Sequence, residues 1–516
     1  MKWAFASSHL PPAQAVSALV LFAALCGVPA HSQTAAAPGE AGAQNSAELL
    51  KKLDLLIDQN DKLEKQNQEL MDQIRALRKN TADAGGVTLT SATVPQASPP
   101  AGESDDEGSP PIVESTAENK KWGKYTPNFG YKVADTDYGD LSISIYTYAR
   151  YLNQRGLDDK YTDTLGNVKN VQQRQDMQLQ KLQVKFLGWV MSPKFRYFLY
   201  AWTNNATQGL PAQVVLAGNL NYNVNRHFTL SAGIRSLPGT RSIEGNFPFW
   251  LGVDSRLITD EYFRGSYTTG LWATGDVTKK LRYQAMIANN LSTLGVSAAQ
   301  LDKKFNTFSG SLIWMPSTGE FGAGFGDFET HDTVATRFGA HFTRSDETKQ
   351  SQPSSDSFEN TQLRISDGTV IFTPNLFGPG ITITEARYRM TTADAGIKYK
   401  GMALEGEYFW RWLDNFKGPG AFAAPHLFDH GFQIQGSAMV VPKRLQLYAG
   451  GSQIYGQYGD PFDIRGGGNF FPFKNRVVRW NNEVLYLYRS PVGYTAVPFA
   501  VGGRGFVFHS SWELAF

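Results

Sequence analysis

The sequence predicts an all-β chain, a 16-stranded antiparallel transmembrane β-barrel at residues 122–516, preceded by a periplasmic α-helical coiled coil at 46–79. Three observations predict it. Beyond Trp122 polar and apolar residues alternate with period two, short turns alternate with long loops, and the chain ends on the greasy stretch GFVFHSSWELAF. A composition with 50 Gly and 13% aromatic residues suits many half-polar strands better than packed helices. The formal net charge of +2 gives no global pull toward nucleic acid, so electrostatic function must come from local placement.

Residues 1–32 read as an export signal. Lys2 precedes the apolar run AVSALVLFAAL, too short to cross a bilayer, and the small residues Val28, Ala30 and Ser32 follow it. Cys26, the only cysteine, lies inside this segment, so the mature chain is expected to have no disulfide, cysteine nucleophile or cysteine metal site.

From Ser46 to Lys79 leucine recurs every seven residues, at Leu49, Leu56, Leu63, Leu70 and Leu77. Taking these as d positions puts Leu53, Asn60, Asn67 and Ile74 at a, a coiled-coil core in which two buried asparagines fix register at a cost in stability. The helix implies a homo-oligomer and leaves dimer or trimer open. Residues 80–121, rich in Pro, Ser, Gly and acid, cannot bury enough apolar area to fold and read as a tether.

The barrel begins with LSISIYTYARYL. Leu141, Ile143, Ile145 and Ala149 alternate there with Ser142, Ser144, Tyr146, Tyr148 and Arg150. Compact turns are expected at 192–194, 224–227, 276–280, 316–320, 400–402, 441–444 and 472–475, with long polar connections between them. Seven turns and eight loops join sixteen strands, and an even count returns the last strand to the side of the first. No repeat of propeller or solenoid length is visible.

In such a barrel the apolar face meets lipid and the polar face lines the lumen. That register places Arg150, Lys181, Lys185, Arg235, Arg282, Arg337, Arg411, Arg465 and Arg479 inward, with Glu405, Glu407, Asp463, Glu483 and Glu513 on the same side. The basic excess predicts a modest preference for anions, because cations lower the cost of an anion entering a narrow water column. Mutual pairing that leaves no net field is the alternative. The long connection 237–265 carries Arg241, Arg256, Asp260, Glu261 and Arg264, and suits a loop folded inward as a constriction. In the last strand Phe508, Trp512, Leu514 and Phe516 face lipid, and Val507, His509, Ser511 and Glu513 face the lumen or rim.

No catalytic step is expected, although a barrel lipase stands as an alternative. The chain has no GxSxG, HExxH or Walker loop, and the glycines of FGAGFGD lack a following helix and lysine. His426 and His430, read as loop residues in AAPHLFDHG, have no metal-binding geometry there, so no metal or cofactor is expected.

The stretches WGKYTPNFGYKVADTDYGDLSISIYTYARYLNQ, EGNFPFWLGVDSRLITDEYFR, FFPFKNRVVRWNNEVLYLY and FHSSWELAF resemble outer-membrane porins of the phosphate-selective porin O and P type. The resemblance implies a trimeric barrel in a Gram-negative outer membrane, an inward loop, and basic lumen residues that guide anions such as phosphate. It also implies that the assembly machinery reads the terminal Phe516. The expectation is passive diffusion of small anionic or neutral solutes. A carbohydrate or general porin, with Tyr146, Tyr148 and Trp202 stacking on sugars, and a tether reaching peptidoglycan through the coiled coil are the alternatives.

Overall fold

The computed structural model describes residues 125–126, 129–204, 213–243, 249–302, 304–322, 324–353, 362–420, 422 and 425–516. The expected signal segment 1–32, the coiled-coil core from Leu49 to Leu77 and the linker 80–121 lie outside the described residues.

In chain order the elements are β1 (Tyr125–Thr126), β2 (Gly130–Thr136), β3 (Gly139–Leu157), β4 (Lys160–Thr162), β5 (Val168–Asn170), β6 (Gln175–Val190), β7 (Ser192–Asn204), β8 (Gln213–Asn225) and β9 (Phe228–Ser236). A short helix α1 (Ile258–Phe263) precedes β10 (Tyr267–Thr278), β11 (Leu281–Ala288), β12 (Thr307–Trp314), β13 (Ala335–Thr348), β14 (Glu385–Tyr399) and β15 (Met402–Lys417). The chain finishes with β16 (His426–Val441), β17 (Leu445–Tyr455), β18 (Phe462–Phe470), β19 (Val478–Tyr488) and β20 (Gly505–Ala515). The main sheet has 18 strands; β1 and β2 only flank the start of β3, and the other sixteen form a closed antiparallel wall.

Closure happens on one edge of β3. Its upper part pairs with β20 from Leu157↔Gly505 to Tyr146↔Ala515, and Phe516 continues the ladder by exchanging backbone hydrogen bonds with Ile145 at 2.7 and 2.9 Å. Below that point β2 takes over the same edge, pairing Tyr131 with Ile143, and the Tyr131 and Phe516 rings meet edge-on at 5.7 Å. Few donors on that edge are therefore left for a stray strand to pair with.

Alternation is carried around the wall. In β20 Phe506 and Trp512 are 61% and 53% exposed on the outside, whereas Val507 and His509 are 1% and 0% exposed on the inside. An apolar outer face and a polar inner one are what a lipid-facing barrel requires. On β6 a bulge shifts the period: Lys181 and Leu182 share the place opposite Thr147, and Lys181 takes a left-handed backbone at φ 48°. The outward set of β6 shifts accordingly, from Met177 and Leu179 above the bulge to Leu182 and Phe186 below it.

Six of the seven expected turns are compact, at 191, 226–227, 279–280, 400–401, 442–444 and 471–477. The seventh is not. PSTGE opens a connection that runs from 315 to 334 and turns back into the barrel, because its phenylalanines find apolar cover there. On the loop side 418–425 and 456–461 are shorter than expected. His426 and His430 belong to β16, not to a loop, and His430 stacks at 5.1 Å on Tyr455 in an outer aromatic belt.

Phe508→Lys should cost about 2–4 kcal/mol, because it places a charge near the middle of the lipid-facing wall. Urea titration of folding into phospholipid vesicles checks this; an unchanged midpoint would put that face outside lipid.

Candidate functional site

The connection 237–266 between β9 and β10 fills much of the lumen. It is tied down by side chains from strands far apart in sequence. Arg479 donates to the Trp250 carbonyl at 2.6 Å, and Arg465 to the Arg256 carbonyl at 2.6 Å and the Ser255 hydroxyl at 2.9 Å. The Tyr148 hydroxyl and the Lys181 ammonium both reach Asp254, each at 2.6 Å. The α1 segment is buried at every residue, with Phe263 stacked on Phe409 at 5.4 Å and the Tyr388 hydroxyl donating to the Phe263 carbonyl. Pinned at these points from Trp250 to Phe263, the loop behaves there as part of the wall.

The five charged residues singled out in this loop are all buried. Four of them form one cluster. Arg256 reaches Glu261 at 3.1 Å and Asp260 at 3.6 Å, and Arg264 reaches Glu261 at 2.7 Å. Arg256 also lies 3.8 Å over the Trp250 ring. Arg241 stands apart, donating to Glu405 at 2.8 Å while its backbone N–H donates to Glu407 at 3.0 Å.

The inward basic residues of the wall divide into two groups. On β13–β20 each fully buried guanidinium meets a carboxylate: Arg337 on Asp394 at 2.7 Å, Arg411 on Asp429, Arg465 on Asp463 at 2.8 Å, and Arg479 on Glu513 at 2.9 Å. Histidines join the same clusters, His341 on Asp394 at 2.8 Å and His509 on Glu483 at 3.0 Å. Arg150 on β3 is buried against Gln178 at 2.8 Å and the Ala496 carbonyl at 2.8 Å. Taking such groups out of water costs several kcal/mol each unless a partner is in place, so this sector is charge-compensated. Between loop and wall it leaves a cavity of about 20 Å³, room for a single water.

The second group lies on β6–β11 and keeps access to water. Lys181 and Lys185 on β6, Arg235 on β9 and Arg282 on β11 are all only partly buried. Arg235 packs 5.3 Å from the Trp272 ring and donates to Gln284 at 2.9 Å. Arg282 and Asp276 sit 3.2 Å apart with side chains 24% and 31% exposed.

Sequence reasoning missed the segment from 315 to 334. Entering from the turn side, it meets the loop in the lumen: Phe325 N–H donates to the Phe249 carbonyl at 3.0 Å, and Arg241 donates to the Gly324 carbonyl at 3.2 Å. Lys398 donates to the Phe321 carbonyl at 2.9 Å and lies 4.4 Å from that ring. Two glycines of FGAGFGD serve close approach. A Cβ on Gly324 would stand 2.9 Å from Phe249, and one on Gly326 2.4 Å from Gln446. At the entrance Asp327 accepts from the Gly401 N–H at 2.8 Å and pairs with the His331 ring at 2.5 Å, while Glu320 lies 3.6 Å from the same ring. The alternating Phe and Gly of this stretch were the available signal.

Tyr146 and Tyr148 hold carboxylates, Glu513 at 2.8 Å and Asp254 at 2.6 Å, and both rings are buried. Among the described residues no group of three His, Cys, Asp or Glu is placed to hold a metal ion.

No family model and no curated protein matches the chain. Among solved structures it is similar to an anion-selective porin from Comamonas acidovorans, at 8% identity and a TM-score of 0.47, over 73% of this chain and 100% of that one. It is similar to the outer membrane channel DcaP of Acinetobacter baumannii at 7% identity and 0.43, over 74% and 99%. OmpT, an outer membrane protein of Vibrio cholerae in a trimer form, matches at 11% identity and 0.45, over 74% and 100%. All three scores fall below 0.5, and nothing about solute or assembly follows from them.

Proposed function

We propose that the chain is an outer-membrane porin for passive diffusion of small solutes, with a modest preference for anions such as phosphate. The observation that carries the reading is the unequal treatment of basic residues inside the barrel. Those on β13–β20 are spent on carboxylates and on holding the inward loop, and Lys181 holds it too through Asp254, whereas Lys185, Arg235 and Arg282 retain contact with water. Water and solute therefore run along the β6–β11 side, past the partly exposed cations. Their mixed surroundings, with Asp254 and Asp276 close by, favour selectivity that is modest.

In this reading residues 1–32 are an export signal and 46–79 a periplasmic coiled coil that joins three barrels, with the tether 80–121 between. The aromatic candidates for sugar stacking do not favour a carbohydrate channel, since Tyr146 and Tyr148 are buried against carboxylates.

Replacing Lys185, Arg235 and Arg282 by alanine together should lower the anion-to-cation permeability ratio in planar bilayers. Arg337→Ala, by contrast, should leave that ratio near the parent value and cost about 3–5 kcal/mol of stability, because Asp394 loses its guanidinium partner inside the wall. Equal permeability ratios in the parent and the triple variant would remove the proposed path.

The turn-side segment should respond to pH. The hydrogen bond to Asp327 lifts the His331 pKa above the ordinary imidazole value of 6.5, against the opposing effect of burial. A raised folded pKa means that the His331–Asp327 contact stabilises docking fully below the unfolded pKa, and that the contribution is lost as pH rises through the folded one. Conductance should therefore rise with pH across that window, and His331→Ala should abolish the dependence. A pH profile unchanged by the substitution would contradict the latch.

A further inference from the structure

The outer wall of β15–β20 carries aromatic rings at both ends. On the turn side Trp480 and Trp512 stack at 5.1 Å; on the loop side Phe462 stacks on Tyr488 at 5.1 Å and Tyr486 meets Phe506 edge-on at 5.0 Å. Such paired belts mark the two lipid–water boundaries of a membrane protein. Residues just beyond the loop-side belt stand at headgroup level.

Arg489 and Arg504 occupy that level. One follows the last residue of β19, and the other precedes the first residue of β20. Both are exposed, and both guanidiniums lie against the same ring, Tyr488, at 5.9 and 5.4 Å. Two like charges share one ring here. On the loop-side rim of β13–β15, by contrast, cations are matched with acids: Arg387 with Asp346 at 2.8 Å, Lys417 with Glu385 at 2.6 Å, and Arg389 with Asp414. Among the described residues neither Arg489 nor Arg504 enters an ion pair. Arg504 has the Tyr486 hydroxyl as a hydrogen-bond neighbour, and Asp158, the carboxylate that acts on it from a distance, is exposed.

We propose that Arg489 and Arg504 form a binding site for the phosphate of a lipid headgroup in the outer leaflet. The site rests on the reading that the barrel crosses the outer membrane with its loops outward. A guanidinium presents several N–H donors in a plane that matches phosphate oxygens, and a doubly charged group relieves the repulsion between the two cations. The Tyr488 ring holds both side chains at the edge of the belt, so the acyl chains of the same lipid would lie down the aromatic wall below. Inorganic phosphate shares the headgroup chemistry but has nothing to lay on Phe462 and Phe506. A lipid is therefore the better occupant.

The test uses the full chain in detergent micelles and reads retained lipid by native mass spectrometry. The probes are a bis-phosphorylated lipid A, its dephosphorylated counterpart and inorganic phosphate. The parent should retain the phosphorylated lipid about tenfold or more over the dephosphorylated one. Arg489→Gln with Arg504→Gln should lose that preference, and the double lysine variant should keep part of it. Single-channel conductance should be unchanged in both, which separates this site from the pore and shows that the variants fold. Retention that ignores the phosphates, or a preference surviving in the glutamine variant, would overturn the proposal. So would inorganic phosphate binding alone to the parent and not to the glutamine variant, since that would make the pair a solute site. Parent protein that fails to conduct in bilayers would instead strike at the porin reading, whatever lipid it retains.

Discussion

A guanidinium brought inside a closed barrel has to be met by a carboxylate or a carbonyl, and the architecture of the lumen follows from that requirement. Arg465 meets Asp463 and Glu483 on its own wall and then reaches the inward loop through the Arg256 carbonyl. Arg479 does the same with Glu513 and the Trp250 carbonyl. Each pair compensates its own charge and also anchors a backbone that has no strand to hold it. Removing either partner strands the other in a low-dielectric setting, which makes the network costly to break one member at a time. Most of the loop's anchors lie on this side, with Lys181 and Tyr148 adding one through Asp254, and the proposed water path follows the rest of the β6–β11 wall.

The same division sets what the inner cations do. Charges that hold the loop cannot also present a field to a passing ion. In the proposed path Lys185, Arg235 and Arg282 face water, where a positive wall would lower the barrier for an anion without binding it tightly. The turn-side segment adds a second constraint from below, because Arg241 holds its Gly324 carbonyl and Lys398 holds both the Gly324 and Phe321 carbonyls through buried contacts. The lumen is narrowed from both ends of the barrel at one level, where Phe249 and Phe325 share a backbone hydrogen bond.

Period-two alternation made the barrel legible, because a strand between lipid and water has one dominant requirement per face. The faces of β3 and β20 read directly from LSISIYTYARYL and GFVFHSSWELAF, and six of seven turns were marked by turn residues. Pairing partners were not legible. Arg337 and Asp394 are 57 residues apart in the chain yet sit on neighbouring strands, and only the register brings them together. The inward course of 315–334 was hidden for another reason. PSTGE is an ordinary turn in its local chemistry, and what draws the following phenylalanines inward is apolar cover supplied from elsewhere: Trp250, Leu251 and Tyr448 for Phe325, Ile313 and Ala335 for Phe321, and Phe471 for Phe328. The bulge at Lys181 has no sequence signature of its own, and His426 and His430 read as loop because Pro425 and the preceding alanines dominate their neighbourhood.

The most direct measurement is the zero-current potential of the full-length protein in a planar bilayer separating concentrated from dilute potassium chloride. Cations facing water on β6–β11, with the remaining lumen charge compensated, predict a potential whose sign reports faster chloride than potassium, short of the ideal anion limit. A potential of the opposite sign would contradict the assignment of the path to that wall.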